Sequence, residues 1–148
     1  MASTDVDVVI VGAGFAGMYE LVRMRRAGFS AVVLETADDV GGTWYWNRYP
    51  GARCDIESVQ YSFKWDPDLQ QDWTWTERYA PQPEILAYAN RSADKQDLKR
   101  DICFGRRIRS AVYDEGDRRW TLTTDKGETV TAPFCIMATG CLSAPNAT

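Results

Sequence analysis

Histidine is absent from this chain, and cysteine is scarce: four in 148 residues, at Cys54, Cys103, Cys135 and Cys141. With no histidine and no C-x-x-C pair, the usual ligands of a zinc site are missing. Three of the four cysteines stand among apolar neighbours. They read as small buried hydrophobes, and a reducing cytoplasm suits them. No stretch approaches the roughly 20 apolar residues that a membrane-spanning helix needs. The amino terminus lacks a basic region followed by an apolar core, which argues against a secretory leader. Positive charge is in deficit, 17 Lys and Arg against 21 Asp and Glu, for a net charge of −4. Nucleic acid and anionic membranes reward clustered positive charge, so neither is expected as a partner. The small basic groups at Arg23, Arg25 and Arg26, and at Arg106, Arg107 and Arg109, read as solvated faces. No repeat or low-complexity linker appears, and the length suits one domain.

What is present begins at once. Residues 5–11 (DVDVVIV) are a nearly continuous β-branched run, the pattern of a strand buried on both faces of a parallel sheet. The run enters Gly12-Ala13-Gly14-Phe15-Ala16-Gly17, after which Met18, Leu21 and Val22 mark the apolar face of a helix. Gly28 lies where a helix ends on a glycine. Residues 31–34 (AVVL) are a second apolar strand, closed by Glu35. Each part has a physical use. Gly12 permits the tight strand-to-helix turn, Gly14 lets backbone approach a pyrophosphate, and Gly17 lets helix pack closely on strand. The helix N-terminus offers free N–H groups and partial positive charge to the phosphates. Glu35 can accept from both ribose hydroxyls and would repel the 2′-phosphate of NADP, so FAD or NAD is favoured here. The expected fold class is α/β: a Rossmann-like βαβ unit with a parallel sheet.

A second glycine pair, Gly41-Gly42, opens the run GGTWYWNRYPGARCDIES. Such a pair is another place where backbone can pass close to a cofactor. The aromatics after it can line a flat apolar pocket, or they can form a small core that braces a long loop. Asp55, an acid in aromatic company, calls for a cationic partner if buried. Otherwise it is a turn or capping residue.

Further on, Pro81-Gln82-Pro83-Glu84 opens a helix in the preferred way, and Ile85, Ala89 and Ala93 space its apolar face. Strands are expected over residues 108–113, 119–124 and 128–138, joined by Asp-Glu-Gly-Asp and Asp-Lys-Gly turns. They form an antiparallel β-meander. Its last stretch, 134–138, returns to the parallel sheet and leads to Ala138-Thr139-Gly140.

The run from Gly41 to Ser58 resembles the hallmark loop of type I Baeyer–Villiger monooxygenases. The glycines before it and Ala138-Thr139-Gly140 fit the same family. The ending RCDIES is nearer to the phenylacetone and steroid monooxygenase branch than to the cyclohexanone one. The likeness extends from about Asp5 to Asn146. It implies FAD and NADPH as cofactors, and a ketone with O₂ as substrates, giving an ester or lactone. It further implies that the turn Gly12, Gly14, Phe15, Ala16 and Gly17 faces the FAD pyrophosphate, with Glu35 on the adenosine ribose. Gly42 and the segment Thr43, Trp44, Tyr45 and Trp46 would run along the flavin. Tyr61 would touch it from beyond the loop, and Ile108 would offer backbone to the adenine. Arg53, Cys54 and Asp55 would lie beside the nicotinamide, where Asp55 orients a catalytic arginine from another domain. A second glycine motif and a histidine fingerprint, which the family carries, do not occur in these 148 residues. The chain is thus expected to be the N-terminal part of an FAD-binding domain, without the NADPH-binding domain, and inactive alone. Two rival readings share the glycines and Glu35: an N-hydroxylating or flavin-containing monooxygenase, and a nucleotide-binding module without turnover.

Overall fold

Two β-branched runs, too short and too apolar for anything but an interior sheet, set the frame. The computed structural model describes residues 3–142; the final residues of the sequence likeness, up to Asn146, lie outside them. In chain order the elements are β1 (Ser3–Asp5), β2 (Val8–Val11), α1 (Phe15–Arg26), β3 (Ala31–Leu34), α2 (Thr43–Trp46), α3 (Ser58–Tyr61), α4 (Pro67–Asp72) and α5 (Gln82–Lys95). A 3₁₀ turn at Lys99–Asp101 leads to β4 (Ile102–Cys103), β5 (Ile108–Asp114), β6 (Arg119–Thr124), β7 (Thr129–Ala132) and β8 (Phe134–Met137). One sheet, in the order β4-β3-β2-β8, is parallel throughout. The other, β1-β7-β6-β5, is antiparallel except where β1 joins β7.

All four residues of β2 are buried, and the pleat sends them alternately to two cores. Val8 and Ile10 join Met18 and Leu21 of α1 and Tyr88, Ala89 and Ala93 of α5. Val9 and Val11 join Leu122, Val130 and Ala132 of the meander. The molecule is therefore layered, with helices, parallel sheet and meander in succession. Each buried valine or isoleucine contributes roughly 1.5–3 kcal/mol relative to exposure. The Ile85, Ala89, Ala93 spacing is fully buried as expected. Helix α1 ends as its sequence requires. Gly28 has φ +83, its N–H reaches Arg25 O, and the Phe29 N–H reaches back to Met24 O.

Four expectations need correction. The run 5–11 is two strands, because the chain changes sheets at Val6-Asp7. The Val6 amide donates to Thr131 O, while the Asp7 carboxylate accepts from the Ser30 amide and hydroxyl. The stretch 128–138 is likewise β7 and β8, split at Pro133, which has no N–H to donate. The two breaks are neighbours, since the Phe134 amide donates to Asp7 O. Of the cysteines only Cys54 is buried; Cys135 is half-buried, its thiol pushed up by burial, and Cys103 and Cys141 are exposed. Arg25 is not on a solvated face. Its guanidinium pairs with Asp101 and donates to the carbonyls of Gln96 and Asp97, tying α1 to the segment after α5.

Candidate nucleotide site

The turn between β2 and α1 is built from backbone contacts that only glycine allows. Gly12 has φ +102, and a Cβ on it would lie 2.5 Å from Ala138 O. A Cβ on Gly17 would lie 1.8 Å from Gly12 O, so α1 sits directly on the strand end. Gly14 is different. Its φ of −73 suits any residue, and its Cβ would meet only Gly42, at 3.5 Å from the Cα. Its smallness is therefore not required by the fold and leaves an approach for a ligand. Helix α1 has no side-chain cap and no acid in its first turn, while Arg23, Arg25 and Arg26 occupy its last turn. Its leading amides have no intrahelical acceptors, and its dipole is complemented only at the far end. Such an end suits a diphosphate.

Glu35 follows β3 directly and is 6 % exposed. Its carboxylate accepts from the Ala13 amide at 2.6 Å and the Ala37 amide at 2.7 Å. Each oxygen keeps a lone pair for a hydroxyl. The Arg106 amide donates to the Glu35 carbonyl at 2.8 Å, which brings the start of β5, and so Ile108, towards this end of the turn. The Ile108 side chain packs on the meander core. These features, the cradle at Gly14, the uncapped helix and the acid with spare lone pairs, fit a dinucleotide such as FAD.

The glycine pair after Glu35 is stapled to the turn. Gly41 donates to Ala13 O at 3.1 Å, and Gly42, at φ +55, stands against Gly14. Both glycines of the pair expected from the sequence thus stand against the turn. The aromatic run is not an extended loop: Thr43–Trp46 is a helical turn. It divides its rings. Trp44 is buried with Cys54, Ala80 and Ile85, while Trp46 is 56 % exposed and Tyr45 lies between. The Arg48 guanidinium stacks over Tyr45, 4.8 Å from the ring centre. Tyr61 meets Phe15 edge-on at 5.6 Å and Trp44 at 5.7 Å, so Phe15, Trp44, Cys54 and Tyr61 come together beside the start of α1. Burial pushes the Tyr61 hydroxyl up; a hydrogen bond with the Trp44 side chain opposes this and the charge of Asp55 reinforces it. Gln82, buried beneath the run and donating to the Trp44 carbonyl, was missed, because a polar residue opening a helix gives no sign of burial.

Asp55 is exposed, so water solvates its charge and burial demands no cationic partner. Among the described residues no ion pair is formed by it. Arg53 is also exposed and turns elsewhere, to Glu77 at 2.5 Å and Tyr79 O at 2.9 Å. Residues 52–54 are zipped to the entry of α5, by Cys54 N to Ala80 O and Gln82 N to Ala52 O. That pairing fixes Cys54 inward and leaves Arg53 and Asp55 outward, as alternation along an extended chain dictates. Ala16 is exposed on the outer side of the first turn of α1.

The class follows from this geometry. Residues 10–74 match the family model of an NAD(P)-binding Rossmann-like domain. Over nearly all its length the chain is also similar to a narrower group. It is 48 % identical over 145 residues to the acetone monooxygenase (methyl acetate-forming) of Gordonia sp. strain TY-5, covering 98 % of this chain and 27 % of that protein. It is 45 % identical over 143 residues to a Baeyer–Villiger monooxygenase of Pseudooceanicola batsensis, covering 96 % and 26 %. The solved structure of an oxidized steroid monooxygenase bound to NADP superposes with a TM-score of 0.94 at 54 % identity, over 98 % of this chain and 28 % of that one. The phenazine N-monooxygenase PhzNO1 of Lysobacter antibioticus is 44 % identical over 141 residues, covering 95 % and 26 %. The chain thus spans about a quarter of the length of the relatives it matches. In sequence and fold it is related to one segment of the Baeyer–Villiger monooxygenases.

Proposed function

We propose that this chain holds FAD for an NADPH-dependent monooxygenase that converts a ketone to an ester or lactone. The observation that carries the reading is the conjunction at one end of the parallel sheet: an uncapped α1, an open approach at Gly14, and Glu35 with unused lone pairs. In this reading the amides of Phe15, Ala16 and Gly17 receive the diphosphate, and Glu35 receives the adenosine ribose. Backbone beside Ile108 meets the adenine. Gly42, Thr43, Trp44, Tyr45, Trp46 and Tyr61 line the flavin side. Arg53, Cys54 and Asp55 form the rim where a nicotinamide enters, and Asp55 is free to orient an arginine supplied from outside these residues. FAD, when bound, supplies the electron transfer and oxygen activation; the chain supplies placement and a local dielectric. A ketone is favoured by the relative named as methyl acetate-forming. A reducing cytoplasm is the compartment we assign, because all four cysteines are free thiols. Among the described residues no helix is long and apolar enough to cross a membrane.

A second reading has its own support. A segment similar to this chain belongs to the relative named as a phenazine N-monooxygenase, whose name gives nitrogen as the atom oxidised. Both readings share FAD, so the first test concerns FAD alone. Gly14→Ala should fold as the parent does, because the new Cβ meets only ordinary contact, yet it should block the diphosphate. Titration of flavin fluorescence should show FAD binding by the parent, weakened at least about tenfold in the variant, the scale of one lost charge-assisted hydrogen bond. Equal affinity in the two proteins overturns the assignment.

A further inference from the structure

We propose that Glu35 is a positioning residue that holds the phosphate-facing turn in shape before any ligand arrives, in addition to any contact it makes with a ribose. Its two oxygens take amides from two different stretches of chain. Oε2 accepts from Ala13, 22 residues away and inside the glycine turn, and Oε1 accepts from Ala37, two residues ahead. Ala13 is fully buried and Ala37 is 3 % exposed, so neither amide has water to fall back on. An orphaned buried N–H is costly, and a carboxylate is the strongest acceptor a side chain offers. The carbonyls of both partners are also engaged, Ala13 O by the Gly41 amide and Ala37 O by the Gly105 amide. The Glu35 backbone is itself stitched to the next segments, its N–H to Cys103 O and its carbonyl to Arg106 N. One side chain therefore joins the turn after β2, the turn after β3 and the segment after β4. The direction of the following amides, from Phe15 onward, on which diphosphate capture depends, is set through Ala13.

This inference deepens the FAD reading, but its backbone part stands without it. A residue that serves only the ribose and one that serves the turn differ in what Glu35→Gln does. Glutamine keeps the shape, but it presents an NH₂ where one buried amide needs an acceptor.

The experiment has two arms, both on the full chain. In the first, amide hydrogen exchange is measured without ligand in parent and Glu35→Gln. The Ala13 or Ala37 amide, whichever faces the new NH₂, should exchange about tenfold faster or more. Val9 and Val33, deep in β2 and β3, should be unchanged. In the second, ADP and its 2′,3′-dideoxy analogue are titrated by calorimetry. Glu35→Gln should weaken both, including the analogue that has no ribose hydroxyl to lose. Unchanged protection at Ala13 and Ala37, or weakening confined to ADP, overturns the proposal. If Glu35→Gln does not fold, the parent decides: both amides must be protected to the level of Val9 without ligand, and exchange at loop rates refutes the idea. A parent that binds neither nucleotide counts against the FAD reading and leaves the exchange rates to judge Glu35.

Discussion

In the turn after β2 the close approaches are backbone on backbone, Gly12 against Ala138, Gly17 against Gly12 and Gly42 against Gly14. In the neighbouring segment from Thr43 to Tyr61 they are made by rings, Tyr61 with Phe15 and with Trp44, held from below by Gln82 and by pairing with the entry to α5. The difference teaches where each region's shape comes from. A backbone contact leaves no room to adjust, so the turn has its final form with nothing bound. A ring on a helical turn can sit inward or outward, and here Trp44 is in and Trp46 is out.

The sharpest way to break this contrast is Gly17→Ala. Its Cβ would fall inside the van der Waals surface of Gly12 O, and no flexible side chain can move aside. A loss of about 3 kcal/mol or more is expected, read as a lower midpoint in thermal or urea unfolding. A stable Gly17→Ala would mean that the turn is as adaptable as the aromatic segment.

A smaller effect is expected where the aromatic side leans on a polar brace. Asp66 is 4 % exposed, caps α4 through the Leu69 amide, and is bound by Gln96 and Lys95 of the α5 end. Burial opposes its charge, but those donors outweigh burial and hold the carboxyl below its ordinary 3.8. A depressed folded-state pKa gives stability that is fully present above that ordinary value and is lost as pH falls through the folded pKa. Asp66→Asn should therefore be less stable than the parent near neutrality by on the order of 1 kcal/mol. The gap should close in acid below the ordinary value. Parallel pH dependence of the two unfolding midpoints would show that the brace is not ionic.

The smallest effect should come from the outward half of the aromatic segment. Asp55→Asn and Trp46→Ala alter exposed side chains, so each should change stability by no more than about 0.5 kcal/mol. If Asp55→Asn costs several times that, Asp55 is structural and not free to serve a partner group.

Much of the turn was legible in the sequence because its causes are local. A β-branched run, glycines at Gly12, Gly14 and Gly17, an apolar helix face and an acid after the next strand lie within 30 residues and depend on one another. The start of α5 was legible for the same reason, since prolines and Glu84 act within one turn. The exposure of Asp55 was not legible. It follows from the pairing of residues 52–54 with residues 80–82, and aromatic neighbours in sequence are not neighbours in space.

The amino-acid sequence by itself determined that a strand, a glycine turn, a helix and a second strand would meet with an acid at the end, and that a meander would follow. Only the tertiary structure decided that residues 5–11 and 128–138 each serve two sheets. Only it set Gly41 against Ala13, sank Gln82 beneath Trp44 and gave the Glu35 carboxylate two buried amides. Propensity and steric exclusion act over a few residues and can be read along the chain. The burial of a polar group and the choice of its partner depend also on distant segments, 22 positions away for Glu35 and Ala13 and 38 for Gln82 and Trp44, and those distances close only when the layers pack.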